Sequence, residues 1–271
     1  MSARSSTAIE PARRRWLCLA VCLLLLVACG QKQPDEDLTT IRIGAASDLT
    51  KAFEEVAKAY EKKTGKKTKF TFGSTGMLSK QIIDGAPFDV FAAANVSFVD
   101  DVVGKGACDG QTQKLYARGR IVIYTKTGEP PKTLSELTGD GYKKIAIANP
   151  AHAPYGKAAK EALEKEGIYG ALGGKIVFGE NISQTMQFAD SGNVEVAIVA
   201  LSLAIVADGK YTTIDEAMHN PLDQALVVCG KGARAELGRG FADFVASDEG
   251  RAIMKRYGFL LPGETLPTAE N

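Results

Sequence analysis

The chain has 271 residues, of which 45% are hydrophobic, and its 33 lysines and arginines nearly balance 32 aspartates and glutamates, for a net charge of +1. A chain of this length and composition can bury a large core, as one large domain or as two small ones. No stretch gathers the clustered basic face that nucleic-acid backbones require, so nucleic acid is not expected as a partner.

Residues 1–28 have the pattern of a secretory signal peptide. Three arginines at 13–15 precede an apolar run at 16–27 that is too short for a comfortable membrane span. The run ends in Leu-Val-Ala-Cys-Gly, which resembles the bacterial lipobox, so we expect cleavage before Cys29 and lipidation of its thiol. Such an anchor holds a protein on the periplasmic or cell-surface face of a bacterial membrane without spanning it. The alternative is an ordinary signal peptide whose apolar run contains cysteine by chance.

A polar segment at 29–40 follows and is predicted to be a flexible tether. Removal of residues 1–28 takes away four arginines and one glutamate, which leaves the secreted chain slightly acidic, near −2. Cys108 and Cys229 remain, in a compartment where a disulfide can persist. The sequence leaves their pairing open, because it does not show whether their Cα atoms approach closely enough to bridge.

Strand-like and amphipathic helical runs alternate over almost the whole remaining chain, which is typical of an α/β fold. The predicted strands lie at 41–46, 68–72, 88–93, 120–125, 144–148, 175–178, 194–199 and 222–228. The predicted helices lie at 49–60, 78–82, 96–103, 156–165, 183–189 and 201–207, with two more between 233 and 257. The linker-like sequence KTGEPPK at 126–132 predicts a crossing between two lobes. We assign residues 41–120 and 212–262 to lobe 1, 121–211 to lobe 2 and 263–271 to a tail.

Small polar residues occupy five corners where a strand gives way to a helix. They read ASD at 46–48, GSTG at 73–76, NPAHAPYG at 149–156, GENIS at 179–183 and ALS at 200–202. In α/β sheets ligands gather outside the carboxyl ends of strands, where free N–H groups at helix starts favour an anion. None of the corners contains lysine or arginine, so together they predict an anion held by neutral donors. Taken singly, each is also an ordinary helix N-cap.

Catalysis and metal binding are the alternatives. Ser74 could act as the nucleophile of an extracytoplasmic serine hydrolase, with His152 as the nearby base. However, GSTG is one residue shorter than the usual Gly-x-Ser-x-Gly elbow, and we expect His152 to orient its loop instead. His219 has Asp215 and Glu216 at helical spacing but no second histidine or cysteine beside them, so no protein metal site is expected.

Five motifs in order along the chain resemble the periplasmic molybdate-binding proteins of molybdate ABC importers. They are GAASDL at 44–49, FGSTG at 72–76, GAPFDVF at 85–91, ANPAHAPYG at 148–156 and VALS at 199–202. The resemblance implies a two-lobed, type II periplasmic-binding fold that closes over a tetrahedral oxyanion, molybdate or tungstate. It also implies a monomeric, nonenzymatic receptor without a cofactor, whose partners are an ABC permease and its ATPase subunit. A receptor for another oxyanion or a small carboxylate remains the alternative.

The resemblance also implies the residues that bind the oxyanion. Ser47 and Ser74 match the hydroxyl ligands of the first lobe, and the amide of Asp48 is a further donor. Tyr155 falls at a backbone donor of the second lobe, and Ile182 at an apolar residue whose amide opens the next helix. We expect Ser74 to cap its own helix as well, and the Asp48 carboxylate to turn away from the anion toward the start of its helix.

Ala200 departs from the family pattern. Some members place there a tyrosine whose hydroxyl reaches the anion, and alanine has no such donor. The sequence leaves open whether Ser202 or an additional backbone amide replaces this donor, or whether the site uses fewer donors.

Overall fold

The structure, a computed structural model, describes residues 37–264. The predicted signal peptide, Cys29, most of the tether and nearly all of the tail therefore lie outside the described residues. A search of the helices within 37–264 finds none with the length and apolar character that a membrane span needs.

The described chain contains strands and helices in nearly regular alternation. The strands are β1 (Thr40–Ala46), β2 (Lys67–Gly73), β3 (Val90–Ala93), β4 (Asp109–Gly119), β5 (Ile121–Thr125), β6 (Ile145–Ala148), β7 (Ile176–Gly179), β8 (Val196–Ala200), β9 (Lys210–Thr213) and β10 (Leu222–Val228). The α-helices are α1 (Thr50–Thr64), α2 (Thr75–Ile83), α3 (Val96–Gly104), α4 (Pro154–Lys165), α5 (Ile182–Asp190), α6 (Leu201–Ala204), α7 (Ala233–Ala246) and α8 (Asp248–Arg256). Short 3-10 helices lie at Ser47–Leu49, Ser135–Thr138 and Glu216–Met218.

The strands form two mixed sheets. The first has the order β2-β1-β3-β10-β4, and the second has the order β7-β6-β8-β5-β9. In the first sheet β1 runs parallel to β2 and β3, whereas β10 is antiparallel to β3 and β4. In the second sheet β6 runs parallel to β7 and β8, whereas β5 is antiparallel to β8 and β9. Each lobe is thus a mixed sheet flanked by helices, and the predicted α/β class is confirmed.

Burial accounts for the sequence patterns of the central elements. Every residue of β6 and of β8 is buried, as expected where helices cover both faces of a sheet. Helix α1 instead buries one stripe, which includes Phe53, Val56 and Tyr60, and exposes its lysines. Gly65 ends α1 at a φ of 71°, a left-handed conformation that glycine adopts without strain.

The sequence pattern does not predict β4 or β9. Strand β4 begins with the polar run DGQTQK and β9 is only KYTT, so neither has the run of apolar residues that predicts a strand. Helix α6 is also shorter than predicted and ends at Ala204. Strand β9 pairs with β5 and runs across the predicted lobe boundary at 211/212. We therefore propose that the chain returns to the first lobe after Thr213.

Cys108 and Cys229 form a disulfide. Cys108 immediately precedes β4 and Cys229 immediately follows β10, and these two strands are neighbours in the first sheet. Strand pairing therefore brings together two cysteines that lie 121 residues apart in the sequence, which no local pattern indicates.

Candidate functional site

The loops that follow β1, β2, β3, β6 and β7 meet at one small cavity of about 10 Å³. The residues that line it are Ala46, Ser47, Asp48, Gly73, Ser74, Thr75, Ala94, Ala153, Pro154, Tyr155 and Ile182. Five of the six residues predicted to bind an oxyanion are among them, namely Ser47, Asp48, Ser74, Tyr155 and Ile182. The cavity therefore brings together residues that the sequence places as far as 135 positions apart.

Helix starts surround the cavity. Thr75, Pro154 and Ile182 are the first residues of α2, α4 and α5, and Ser47 begins a 3-10 helix. The first N–H groups of a helix have no partner within it, and the helix dipole makes this end electropositive. No lysine or arginine is among the lining residues. The site thus offers N–H and O–H donors without a cationic side chain.

Ser74 lies at the N-cap position of α2, but the expectation that it caps this helix is wrong. Its side chain makes no capping hydrogen bond. Instead its Oγ lies 2.8 Å from Nδ1 of His152, in the opposite lobe. On the far side of the ring, His152 Nε2 lies 4.0 Å from Glu180 Oε2. His152 therefore positions Ser74 across the cleft. That it also orients its own loop stays a prediction.

Gly76 forms a second contact across the cleft. Its N–H donates to the carbonyl oxygen of His152 over 2.9 Å. A Cβ at position 76 would lie 2.8 Å from that oxygen and 3.1 Å from the His152 Cα. The lobes can approach this closely at α2 only because residue 76 is glycine.

Ser47 is joined to the second lobe by Ser183. The Ser183 hydroxyl donates to the Ser47 carbonyl oxygen over 2.9 Å, and the Ser183 N–H lies 3.4 Å from Ser47 Oγ. Ser183 belongs to the GENIS corner, although the sequence assigns it no role in the site. Its position one residue inside α5 aims its amide at the first lobe.

The carboxylate of Asp48 makes no capping hydrogen bond at the start of its helix, so the expectation that it caps this helix is also wrong. Its Oδ2 accepts hydrogen bonds from the Tyr155 hydroxyl, at 2.9 Å, and from Gln224 Nε2, at 2.6 Å. The Tyr116 hydroxyl in turn donates to Gln224 Oε1 over 2.8 Å. These four residues form one buried network that spans both lobes. Tyr155, predicted as a backbone donor, thus also contributes its side chain.

Burial shifts the pKa values of the ionisable groups in this network. It raises the pKa of Asp48 from the ordinary value of 3.8 to about 6, although hydrogen bonds from Gln224 and Tyr155 oppose the rise. Burial also raises the pKa of the Tyr116 and Tyr155 hydroxyls, and the Asp48 carboxylate raises both further. The tyrosines therefore stay protonated as donors, whereas Asp48 can gain a proton close to neutral pH.

Ser202 does not line the cavity. Its hydroxyl donates to the carbonyl oxygen of Asp48 over 2.8 Å, within the buried contact between the lobes. Ala200, which ends β8, is fully buried and offers only a methyl group. The geometry gives Ser202 the role of holding the Asp48 backbone, so we leave it out of the proposed ligand set.

A wider cavity of about 530 Å³ lies beside α3, α4 and the segment at 220–222. It contains none of the predicted donors, and its carboxylate, Glu161, already accepts hydrogen bonds from Asn220. Within residues 37–264 there is also no group of three or more His, Cys, Asp or Glu side chains that could hold a metal ion.

The arrangement is that of a known class of binding protein. A family model described as bacterial extracellular solute-binding protein matches residues 41–260. The chain belongs to this family.

Two molybdate-binding proteins named ModA are similar to this solute-binding protein over nearly its whole length. The protein from Azotobacter vinelandii is 31% identical over 86% of this chain and 93% of its own length. The protein from Rhodobacter capsulatus is 30% identical over 90% of this chain and 94% of its own length. This identity and coverage place the chain among the ModA proteins.

The solved structure of the Azotobacter vinelandii periplasmic molybdate-binding protein has the same fold. It matches with a TM-score of 0.78 and 26% identity, over 82% of this chain and 99% of that chain. This confirms the expected periplasmic-binding architecture. The ModA family consists of solute-binding proteins, so this chain is not an enzyme, and the pair of Ser74 and His152 is a contact between lobes.

Sequence reasoning missed the part of the site that distant strands supply. Tyr116 and Gln224 come from β4 and β10, and neither lies at a strand-to-helix corner. The one local signal is a glutamine within the otherwise apolar run LDQALVV, at a position that is fully buried. A buried polar side chain requires a partner, which is here the Asp48 carboxylate.

Proposed function

We propose that this solute-binding protein captures molybdate, and tungstate as well, and delivers the anion to the permease of an ABC importer driven by an ATPase subunit. The observation that carries the proposal is the convergence of five predicted ligand residues from both lobes on one cavity ringed by helix starts. Similarity to the molybdate-binding relatives supports the choice of ligand.

A tetrahedral oxyanion suits this set of donors. The hydroxyls of Ser47 and Ser74 and the amides of Asp48, Tyr155 and Ile182 would bind its oxygen atoms, and no protein atom would coordinate molybdenum. Neutral donors hold an ionised ligand tightly when water is excluded and every ligand oxygen is hydrogen-bonded. Sulfate is smaller and would leave some of these bonds long. Hydrogen phosphate brings a proton that needs an acceptor.

Capture requires the lobes to move. A cavity of about 10 Å³ has room for about one water molecule, whereas an oxyanion with four oxygens needs more. The bonds of Gly76 and Ser183 across the cleft must therefore break to admit the ion and form again as the lobes close around it. Because each lobe supplies only part of the donors, closure completes the site and excludes water.

Calorimetry of the purified protein with molybdate, tungstate, sulfate and phosphate tests the ligand. We expect binding heat for molybdate and tungstate and none for sulfate or phosphate. Equal heats for all four anions, or no heat for any, would reject the proposal.

Ser47→Ala combined with Ser74→Ala should weaken molybdate binding at least tenfold, because each lost bond to a charged group contributes about 1.5–3 kcal/mol. Ser135→Ala, at an exposed hydroxyl, is the matched control and should bind normally.

We further propose that the protein acts as a monomer held to the membrane by a lipid on Cys29. The lipobox-like sequence supports this assignment, although it lies outside the described residues. Labelled palmitate should enter the wild-type protein and not Cys29→Ala, because lipidation needs the Cys29 thiol, while molybdate binding by the Cys29→Ala protein stays intact. Equal labelling of the two proteins, or no labelling of the wild type, would count against the lipid anchor.

A further inference from the structure

Asp48 has one carboxyl oxygen that no other residue of the described chain satisfies. Its side chain is fully buried, and both donors that reach it, Tyr155 and Gln224, bind Oδ2. Oδ1 is buried and has no hydrogen-bond partner in any other residue of 37–264, although the residue's own backbone N–H also interacts with the carboxylate. An orphaned charged oxygen in a desolvated site is strongly unfavourable, so its presence calls for a reason.

The proposed ligand makes an ionised Asp48 still less favourable. Asp48 lines the same small cavity as Ser47 and Ser74, and the lining contains no cation. A dianion bound there would face the carboxylate across a few ångströms of water-free space, where like charges repel strongly. A proton on the carboxyl removes the repulsion and converts the orphan oxygen from an acceptor into a donor.

We propose that Asp48 is a neutral carboxylic acid in the loaded protein and donates the proton on Oδ1 to an oxygen of the bound oxyanion. Capture of the dianion then takes up one proton from solution, which forms the O–H bond on Oδ1, while the ligand itself stays a dianion. This inference rests on the proposed function. It adds the Asp48 carboxyl to the hydrogen-bond donors of the site. It also gives a reason for the presence of a buried acid, which packing alone does not require.

The surroundings of Asp48 favour protonation on this oxygen. Tyr155 of α4 and Gln224 of β10 bind the Asp48 carboxylate, and Tyr116 of β4 lies close to it. Ser202 of α6, Ser183 of α5 and Thr50 of α1 bind backbone oxygens of the Ser47–Leu49 turn. Lys51 of α1, the next residue along the chain, is exposed. The two tyrosines are donors or neutral neighbours, and none of the hydrogen-bond partners of Asp48 is a cation. Burial already raises the pKa of Asp48 to about 6, and a bound dianion raises it further.

Neutral Asp48 also contributes to selectivity. An ionised carboxylate in this position could accept the proton of hydrogen phosphate and so admit that anion. A carboxylic acid that already donates from Oδ1 offers no such acceptor, because Oδ2 is occupied by two donors. The proposal therefore predicts that protonation of Asp48 and rejection of phosphate occur together.

Molybdate titration calorimetry in buffers of different ionisation heat measures the protons taken up per ion. Between about pH 7 and 8.5, the wild-type protein should take up close to one proton, and its affinity should fall by up to about tenfold per pH unit. Asp48→Asn supplies an amide donor without a titrating proton, so it should bind molybdate with no proton uptake and a flat pH profile. An infrared difference spectrum should show a protonated carboxyl band when the wild-type protein is loaded, and none for Asp48→Asn.

His152→Gln is the control for the histidine beside the cavity, since His152 contacts Ser74. Proton uptake should persist in His152→Gln whatever its affinity for molybdate. Three results would each overturn this inference but leave the proposed function intact. They are molybdate binding without proton uptake in the wild type, proton uptake that persists in Asp48→Asn, and proton uptake that disappears in His152→Gln. No molybdate heat at all would overturn the proposed function, and the inference with it.

Discussion

Asp48 and Asp89 are both buried carboxylates, but their environments act on them in opposite directions. Burial raises the pKa of Asp48, whose donors are neutral. Burial also acts on Asp89, but hydrogen bonds from Arg234 and Arg42 outweigh it and lower the pKa of that carboxyl. Asp89 therefore stabilises the folded protein at pH values above the pKa that this carboxyl has in the unfolded chain. This stabilisation is lost as the pH falls. Asp48 contributes stability at low pH and loses it as the pH rises through about 6.

Asp48→Asn should consequently gain stability over the wild type as the pH rises. One pKa unit corresponds to about 1.4 kcal/mol, so the rise from 3.8 to about 6 predicts that the difference in unfolding free energy grows by roughly 3 kcal/mol between about pH 4 and pH 8. Urea unfolding of both proteins at several pH values measures it. Asp100→Asn, at an exposed carboxylate, is the control. A difference that stays constant for Asp48→Asn would show that the folded state does not perturb this carboxyl.

At the scale of secondary-structure elements, the sequence predicts most of what positions the site. The polar corners after β1, β2, β6 and β7 are local signals, and all four contribute to the cavity. Strands β4 and β9 are not predicted, because the start of β4 and most of β9 are polar. The Asp48 network could not be derived for a different reason. It joins Tyr116, Tyr155 and Gln224 through contacts between distant strands and opposite lobes.

The start of α2 provides a direct test of closure. Gly76→Ala places a methyl group 2.8 Å from the His152 carbonyl oxygen, which should hold the lobes slightly apart. Overpacking of this kind costs about 1–3 kcal/mol, so molybdate affinity should fall by about 5- to 150-fold with little loss of fold stability. Gly104→Ala is the matched control, because a Cβ there meets nothing within 4 Å. Calorimetry measures the affinity, and equal affinities for the two variants would show that this contact does not limit closure.

At the scale of the whole molecule, strands from both mixed sheets end at one cleft between the lobes. The corners form the cavity only when the lobes meet, and the buried bonds from Tyr155 to Asp48 and from Ser202 to Asp48 help to hold them together. The proposed recognition of an anion by neutral donors therefore depends on the closed molecule. No single corner suffices, which is why each one alone reads as an ordinary helix cap.

Anomalous diffraction at the molybdenum edge, from crystals grown with molybdate, tests most directly whether this cavity is the site. We predict one strong peak among Ser47, Ser74, Tyr155 and Ile182, with its oxygens in hydrogen-bond range of the two hydroxyls and the two amides. A peak beside lysine or arginine side chains elsewhere would contradict the account. So would a cavity without a peak in a protein that binds molybdate in solution.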